Sequence, residues 1–235
     1  MKRRSGFIVS LVIGLVLAFL LRQSLFLPAK EEKVMDGFEA LLAQEDLTVA
    51  QVIAYVDQHI KDVSPEKAGK LVLGLEQVQK EKLSAWQRRY EDNTLQQKMA
   101  EVYQRNWALE DFKEVEDETI GPVVEQTIAN GYKVETAEGM FFPVIDYTLY
   151  RKYYGRLAAD LTAYFDLMAV ESEATPVKDA ALMISWEELL ERADRQERFI
   201  EGYNSSSQVK PVRELLARYV SFALFGCNNT PLFSY

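Results

Sequence analysis

Few residues in this chain are placed to do chemistry. Glu171 closes the apolar run of LMAVESEA, residues 167 to 174. A carboxyl group in apolar surroundings has its pKa raised toward general-acid use, so Glu171 is the candidate catalytic residue. Upstream, Phe141, Phe142, Tyr147, Tyr150, Tyr153, Tyr154, Tyr164 and Phe165 fall within 25 residues. Exposed, such rings stack on sugars; packed, they fasten a hairpin to helices. Phe141, Phe142, Asp146 and Tyr147 are the candidate ligand-binding residues. An open cleft joining them to Glu171 would favour a glycan ligand, whereas burial under the hairpin would favour a structural role.

Other chemistries lack their residues. His59 is the only histidine and Cys227 the only cysteine. One of each, far apart in sequence, leaves the common zinc ligand sets unformed and allows no internal disulfide. There is no Gly-x-Ser-x-Gly elbow, no phosphate-binding glycine loop and no dinucleotide fingerprint. Neither a metal nor a cofactor is expected, and catalysis would rest on carboxylates, lysine or tyrosine. His59, near the end of a helical stretch, reads as a surface residue suited to the negative end of the helix dipole.

The elements that position these groups are mostly helical. Glu31 to Gln44 carries Val34, Phe38, Leu41 and Leu42 at helical spacing. Thr48 caps a helix with Val49, Val52, Ile53, Val56 and Ile60 on one face. Ser64-Pro65 opens a long helix through Ala68, Leu71, Leu75 and Val78 to Trp86 and Tyr90. A break is expected near Glu91 to Asn93, with Thr94 and Gln97 as a capping box for the next helix. Glu110 to Glu118, with six acids in nine residues, reads as a solvated helix face. Gly121-Pro122 opens a short helix that Asn130-Gly131 stops.

The pattern then changes period. Tyr132 to Thr136 alternates like a strand, Glu138-Gly139 suits a tight turn, and Met140 to Tyr147 returns, with Pro143 confining it to an edge. Helices resume over Tyr147 to Tyr154 and Ala158 to Glu173, and Thr175-Pro176 predicts another. Ser185 and Glu188 form a capping box opening Trp186 to Glu201, whose face is Trp186, Leu189, Leu190, Ala193 and Ile200. Val209 to Phe222 completes an αα-hairpin similar to one tetratricopeptide-like unit. The tail NNTPLFSY carries Leu232, Phe233 and Tyr235 and is expected to pack on the domain by burying them.

At the other end, Lys2, Arg3 and Arg4 precede the uncharged run Phe7 to Leu21, and apolar residues resume at Leu25 to Leu27. A basic segment before an apolar one is the layout of a signal sequence, and residues 7–27 approach the ~20 needed to span a bilayer. The expected organisation is a signal anchor or signal peptide over 1–30 and an extracytoplasmic domain over 31–235. Orientation follows from the positive residues staying inside. Residues 1 to 30 hold five of the 27 basic residues and no acid, leaving 22 basic against 36 acidic in the rest, a charge of −14. That argues against nucleic acid and anionic lipid as partners of the domain.

Two resemblances add to this. The apolar helix running into Glu171-Ser172 resembles, over fewer than ten residues, the catalytic-glutamate helix of soluble lytic transglycosylases. The Gly-Leu-Met-Gln stretch of that family is replaced here by DAALMIS, so only a candidate acid at Glu171 is implied. GYKVETAEGMFFPVIDY, MAVESEATPVKDAALMISW and NNTPLFSY together resemble an uncharacterised family of exported, membrane-anchored helical proteins of Gram-positive bacteria. That resemblance implies the compartment and no activity. The expected fold is mostly α: an irregular helical bundle, one small β-hairpin over about 132–147 and an N-terminal transmembrane or signal helix. The expected function is a binding or scaffolding role in the cell envelope, with an envelope protein or glycan as partner. The alternative is a carbohydrate-directed protein, binding glycans or hydrolysing them with a carboxylate.

Overall fold

The computed structural model describes residues 29–103, 112 and 115–233. The apolar stretch 7–27 lies outside them, as do Glu110, Asp111, Lys113 and Glu114 of the acidic segment and Tyr235. Among the described residues no helix is long and apolar enough to cross a membrane. The described chain is mostly helical, with a small two-stranded antiparallel sheet.

Helix α1 covers 29–42 and α2 Val49–His59. Thr48 starts α2 with a reciprocal capping box: its hydroxyl accepts from the Gln51 N–H, and the Gln51 side chain accepts from the Thr48 N–H. Helix α3, Pro65–Arg89, is the spine, about 37 Å long at 1.5 Å per residue. Its Ala68, Leu71, Val72, Leu75 and Val78 pack with Val34 and Phe38 of α1 and Val52 and Val56 of α2. The chain breaks after Tyr90, as the slip in periodicity predicts, and α4 follows over Asn93–Tyr103. Its cap is Asp92, whose Oδ1 accepts from the Leu95 N–H at 2.8 Å. The expected Thr94–Gln97 box does not form, because the Gln97 amide turns outward to Glu101.

Helix α5 spans Ile120–Ala129 and ends at Gly131, whose φ of +71° only glycine adopts without strain. Of the acidic segment before α5, Phe112 is buried and 115–117 is irregular rather than a helix face. Asp117 Oδ1 accepts from the N–H groups of Thr119 and Ile120, and Lys98 donates to the same carboxylate. Those backbone donors, then Lys98, hold its pKa down to about 2. A carboxylate with a lowered folded-state pKa contributes stability above its unfolded value near 4, and loses it as pH falls toward 2. Asp117→Asn should therefore destabilise the protein at pH 7 in urea titrations and flatten the loss of stability between pH 4 and 2. An unchanged acid limb would show that the cap carries no stability.

Strands β1, Tyr132–Ala137, and β2, Met140–Ile145, pair antiparallel with Tyr132 opposite Ile145 and Ala137 opposite Met140. Glu138 and Gly139 both have positive φ, as the tight turn requires. The helix expected over Tyr147 to Tyr154 forms as a 3₁₀ helix, Tyr147–Arg156. Tyr147, Tyr150 and Tyr153 are buried, and at three residues per turn a spacing of three stacks them directly above one another on one face.

Helix α6 covers Ala159–Glu173. The helix expected from Thr175-Pro176 is instead a minimal second hairpin, β3 Val177–Lys178 and β4 Ala181–Leu182, turning through Asp179 and Ala180 at positive φ. Lys178 is drawn to Glu135, and Asp179 accepts from the Glu138 N–H, so this turn is tied to the tip of the first hairpin.

Helices α7, Trp186–Gly202, and α8, Val209–Phe225, form the αα-hairpin. Ser185 caps α7, while the Glu188 carboxylate binds Arg192 instead of closing the box. Of the expected α7 face, Leu189 is buried and Trp186, Ala193 and Ile200 pack against the core, whereas Leu190 is 57% exposed and Arg192, Gln196 and Phe199 are buried beside the others. After Gly226 the tail does fold back, but through polar groups. Asn229 donates to the carbonyls of Ala180 and Asp179, and Thr230 accepts from the Leu182 N–H. Phe233 is 71% exposed, so the expected burial of its ring does not occur.

Candidate functional site

Of the aromatic residues singled out by the sequence, all but Phe142 and Tyr154 are buried core. Phe141 is buried in a cluster with Phe112, Leu95 and Met99, edge-on to Phe112 at 5.5 Å. Tyr147, Tyr150, Tyr164 and Phe165 are buried against α3, with Tyr150 stacked on Phe165 at 4.4 Å. Their hydroxyls enclose the buried Glu76, which accepts from Tyr147 at 2.9 Å and Tyr164 at 2.6 Å and pairs with Lys80 at 2.7 Å. Gln79, also buried, is bound to the Tyr150 hydroxyl and donates to the Gly131 carbonyl at 2.9 Å. These rings offer no face to a sugar. Phe142, opposite Glu135, is only half-buried and lies on the other face of the hairpin.

Glu171 sits apart from them. Tyr219 of α8 donates to its Oε1 at 2.5 Å, and the buried Arg192 of α7 approaches to 3.6 Å. Burial raises its pKa, as the apolar setting predicts, while Tyr219 and Arg192 pull it down. Arg192 also pairs with Glu188 and donates to the carbonyl of Ala174 just past α6 at 2.8 Å. Glu171 thus belongs to a bridge joining α6, α7 and α8, and the structure does not bring it together with Phe141, Phe142 or Tyr147.

The concave site lies elsewhere, between α5, the first hairpin and the junction of the 3₁₀ helix with the end of α6. This groove has a volume of ≈ 430 Å³. Gly131 to Glu135 contribute five consecutive residues of β1 and its approach. Val124, Ile128 and Leu149 form an apolar wall, with Ile128 50% exposed. Asp146, Thr148 and Glu173 face them. Of the candidate residues, Asp146 alone lines the groove.

Its polar groups are held in place by one another. Asp146 Oδ1 accepts from the Thr148 N–H at 3.0 Å and from its hydroxyl at 2.6 Å. Lys133 donates to the Ser172 carbonyl and pairs with Glu135 at 3.4 Å. Arg151 holds Glu173 with two hydrogen bonds, 2.5 and 2.7 Å, which lower the carboxyl pKa. A groove with one apolar wall and oriented, paired charges on the other is built to hold a ligand. Glu173 is thereby pushed toward its charged form, while burial holds the Tyr132 hydroxyl neutral, which suits recognition better than proton transfer.

Sequence reasoning singled out none of Ile128, Lys133, Glu135, Leu149 and Glu173 as site residues. The alternation of YKVET, which sets Lys133 and Glu135 on the face opposite Tyr132 and Val134, was the one available signal. Among the described residues no group of three His, Cys, Asp or Glu is arranged to hold a metal ion.

This is a mostly helical fold carrying a mixed apolar and charged groove along β1. Comparison with protein-family models, with curated proteins and with solved structures finds no match to the chain.

Proposed function

We propose that this protein is a membrane-anchored, extracytoplasmic binding or scaffolding protein of the cell envelope, and that the groove along β1 receives its ligand. Residues 7–27, behind Lys2, Arg3 and Arg4, are the anchor in this reading. The resemblance to exported, membrane-anchored helical proteins of Gram-positive bacteria supports the same compartment. The observation that carries the binding role is the groove itself: ≈ 430 Å³, with exposed Ile128 opposite charged groups locked in pairs. The carbohydrate-directed alternative has less support, because Phe141 and Tyr147 are buried and Glu171 is engaged by Tyr219 and Arg192.

The groove is tested with a photo-crosslinking amino acid placed at Ile128 and, separately, at the exposed Glu197 on α7. In cells, position 128 should give a discrete envelope adduct that Lys133→Glu abolishes, and position 197 should give none. An adduct at 197 with none at 128 would contradict the groove as the binding site.

A further inference from the structure

A second pocket, ≈ 300 Å³ in volume, lies between the C-terminal half of α3, the start of α2 and the end of α5. Lys82, Trp86 and Arg89 line it, and their spacing of i, i+4 and i+7 puts all three on one face of α3. Across from them are Thr48 and Val49 at the N-terminus of α2, and Gln126 and Asn130. No carboxylate lines it.

That composition is unusual for this chain. Beyond residue 30 the charge is −14. Lys67, Lys70, Lys80, Lys98, Lys133, Lys152, Lys178, Arg151, Arg192 and Arg198 each enter an ion pair. Among the described residues Lys82 and Arg89 enter none, and neither do Lys33, Lys61, Arg88, Arg156, Arg195, Lys210, Arg213 and Arg218. Lys210 and Arg213, however, share their concavity with Glu214, and Arg195 shares its own with Asp166, whereas Lys82 and Arg89 line one without a carboxylate. Arg89 is nevertheless positioned: its guanidinium lies 4.5 Å from the Trp86 ring centre and donates to Gln126 Oε1 at 3.0 Å. A stacked guanidinium held by one neutral acceptor keeps its other N–H groups for a ligand.

The facing wall favours the same charge. Asn130 Oδ1 accepts from the Ala50 N–H at 3.0 Å and fixes the first turn of α2, whose dipole presents its positive end here. Leu47, Val49 and Ala85 supply apolar surface beside these groups. The N–H groups of Ala50 and Gln51 are already taken by Asn130 and Thr48, so the helix end adds only its field. The ammonium of Lys82 and the oriented guanidinium of Arg89 around one concavity make the oxyanion receptor.

We propose that this pocket binds a ligand carrying a phosphate group attached to a small apolar or ring-shaped portion. The phosphate lies between Lys82 and Arg89, and the remainder rests on Trp86, Leu47 and Val49. The site is separate from the groove on β1 and does not depend on the function assigned to it.

The chain has three tryptophans, so fluorotryptophan labelling gives three ¹⁹F resonances, with Trp86 assigned by Trp86→Phe. The full chain is held in maltoside micelles, which contain no phosphate, and titrated with inorganic phosphate and with glycerol phosphate at constant ionic strength. The Trp86 resonance should shift saturably and the other two should not. Lys82→Gln combined with Arg89→Gln should weaken binding at least about tenfold, since each charge-assisted contact is worth that much. Unchanged resonances of the other two tryptophans would confirm that the double variant is folded. A further arm adds phosphatidylglycerol to the micelles: a shift there but not with glycerol phosphate assigns the phosphate to a lipid headgroup, and the reverse to a soluble ester. No saturable shift with any of these, or equal shifts in the double variant, would overturn the proposal.

Discussion

Replacing Glu76 by alanine should cost about 3–5 kcal/mol in urea denaturation, because it removes the shared acceptor of two buried tyrosine hydroxyls and empties a packed site. Glu76 is 4% exposed and accepts hydrogen bonds from Tyr147 and Tyr164 while paired with Lys80. The alanine leaves two buried hydroxyls without an acceptor, about 1–3 kcal/mol each, and a cavity in the packed face of α3. The cluster shows in the tyrosines themselves: burial first, and then the Glu76 charge, push the pKa of Tyr147 and Tyr164 far upward. Glu76→Gln keeps an acceptor and should cost about half as much. Tyr164→Phe made on top of Glu76→Ala should add less than it costs alone, because its hydroxyl has already lost its partner. Additive losses would mean that the hydrogen bonds carry little of the stability.

Gly131→Ala should destabilise by about 2–5 kcal/mol, combining ~1–2 kcal/mol for a left-handed residue with ~1–3 kcal/mol for overpacking. The position has φ +71°, and an added Cβ would come within 2.4 Å of Gln79 Nε2 and 2.9 Å of Leu149 Cδ2. Gln79 cannot swing away cheaply, since it holds the Gly131 carbonyl and the Tyr150 hydroxyl. Gly139→Ala is the control: its φ is +76° but nothing lies within 4 Å of the new Cβ, so only the left-handed cost of about 1–2 kcal/mol remains. Equal losses at the two glycines would refute the packing part of the argument. Gly131 also lines the groove, so its variant should weaken the Ile128 crosslink as well.

What the sequence disclosed was mostly local. Thr48 as a cap, the break after Tyr90, the stop at Asn130-Gly131 and the Glu138-Gly139 turn are each decided within a few residues, and each formed. The departures came where distant partners decide. Arg192 turns inward because Glu188, Tyr219 and the Ala174 carbonyl receive it, and the last two lie 27 and 18 positions away. Helical spacing alone placed Leu190 on that face. The tyrosines at 147, 150 and 153 carried their own signal, a spacing of three, that an α-helical reading overlooks. The second hairpin exists because Asp179 and Lys178 find Glu138 and Glu135 across the first one. The tail turned back at Asn229 as its residues suggest, yet polar anchoring replaced the burial expected of Phe233.

The groove was the least legible feature. Ile128, Lys133, Asp146 and Glu173 belong to four separate segments; Asp146 alone was singled out as a candidate, and the strand alternation that places Lys133 did not by itself mark a site. Glu171 was legible as a carboxyl in an apolar setting, and its pKa is raised. That Tyr219 and Arg192 would engage it depends on how α7 and α8 pack on α6, which composition does not encode.

The most direct test of the account is on which side of the membrane the groove faces. Cys227 is the only cysteine, so Cys227→Ser combined with Ile128→Cys leaves a single thiol in the groove. Cells with permeable walls and intact membranes are treated with a membrane-impermeant maleimide. The account predicts that the Ile128→Cys thiol is modified without lysis, on a chain that remains with the membrane fraction. Modification only after the membrane is dissolved would contradict it.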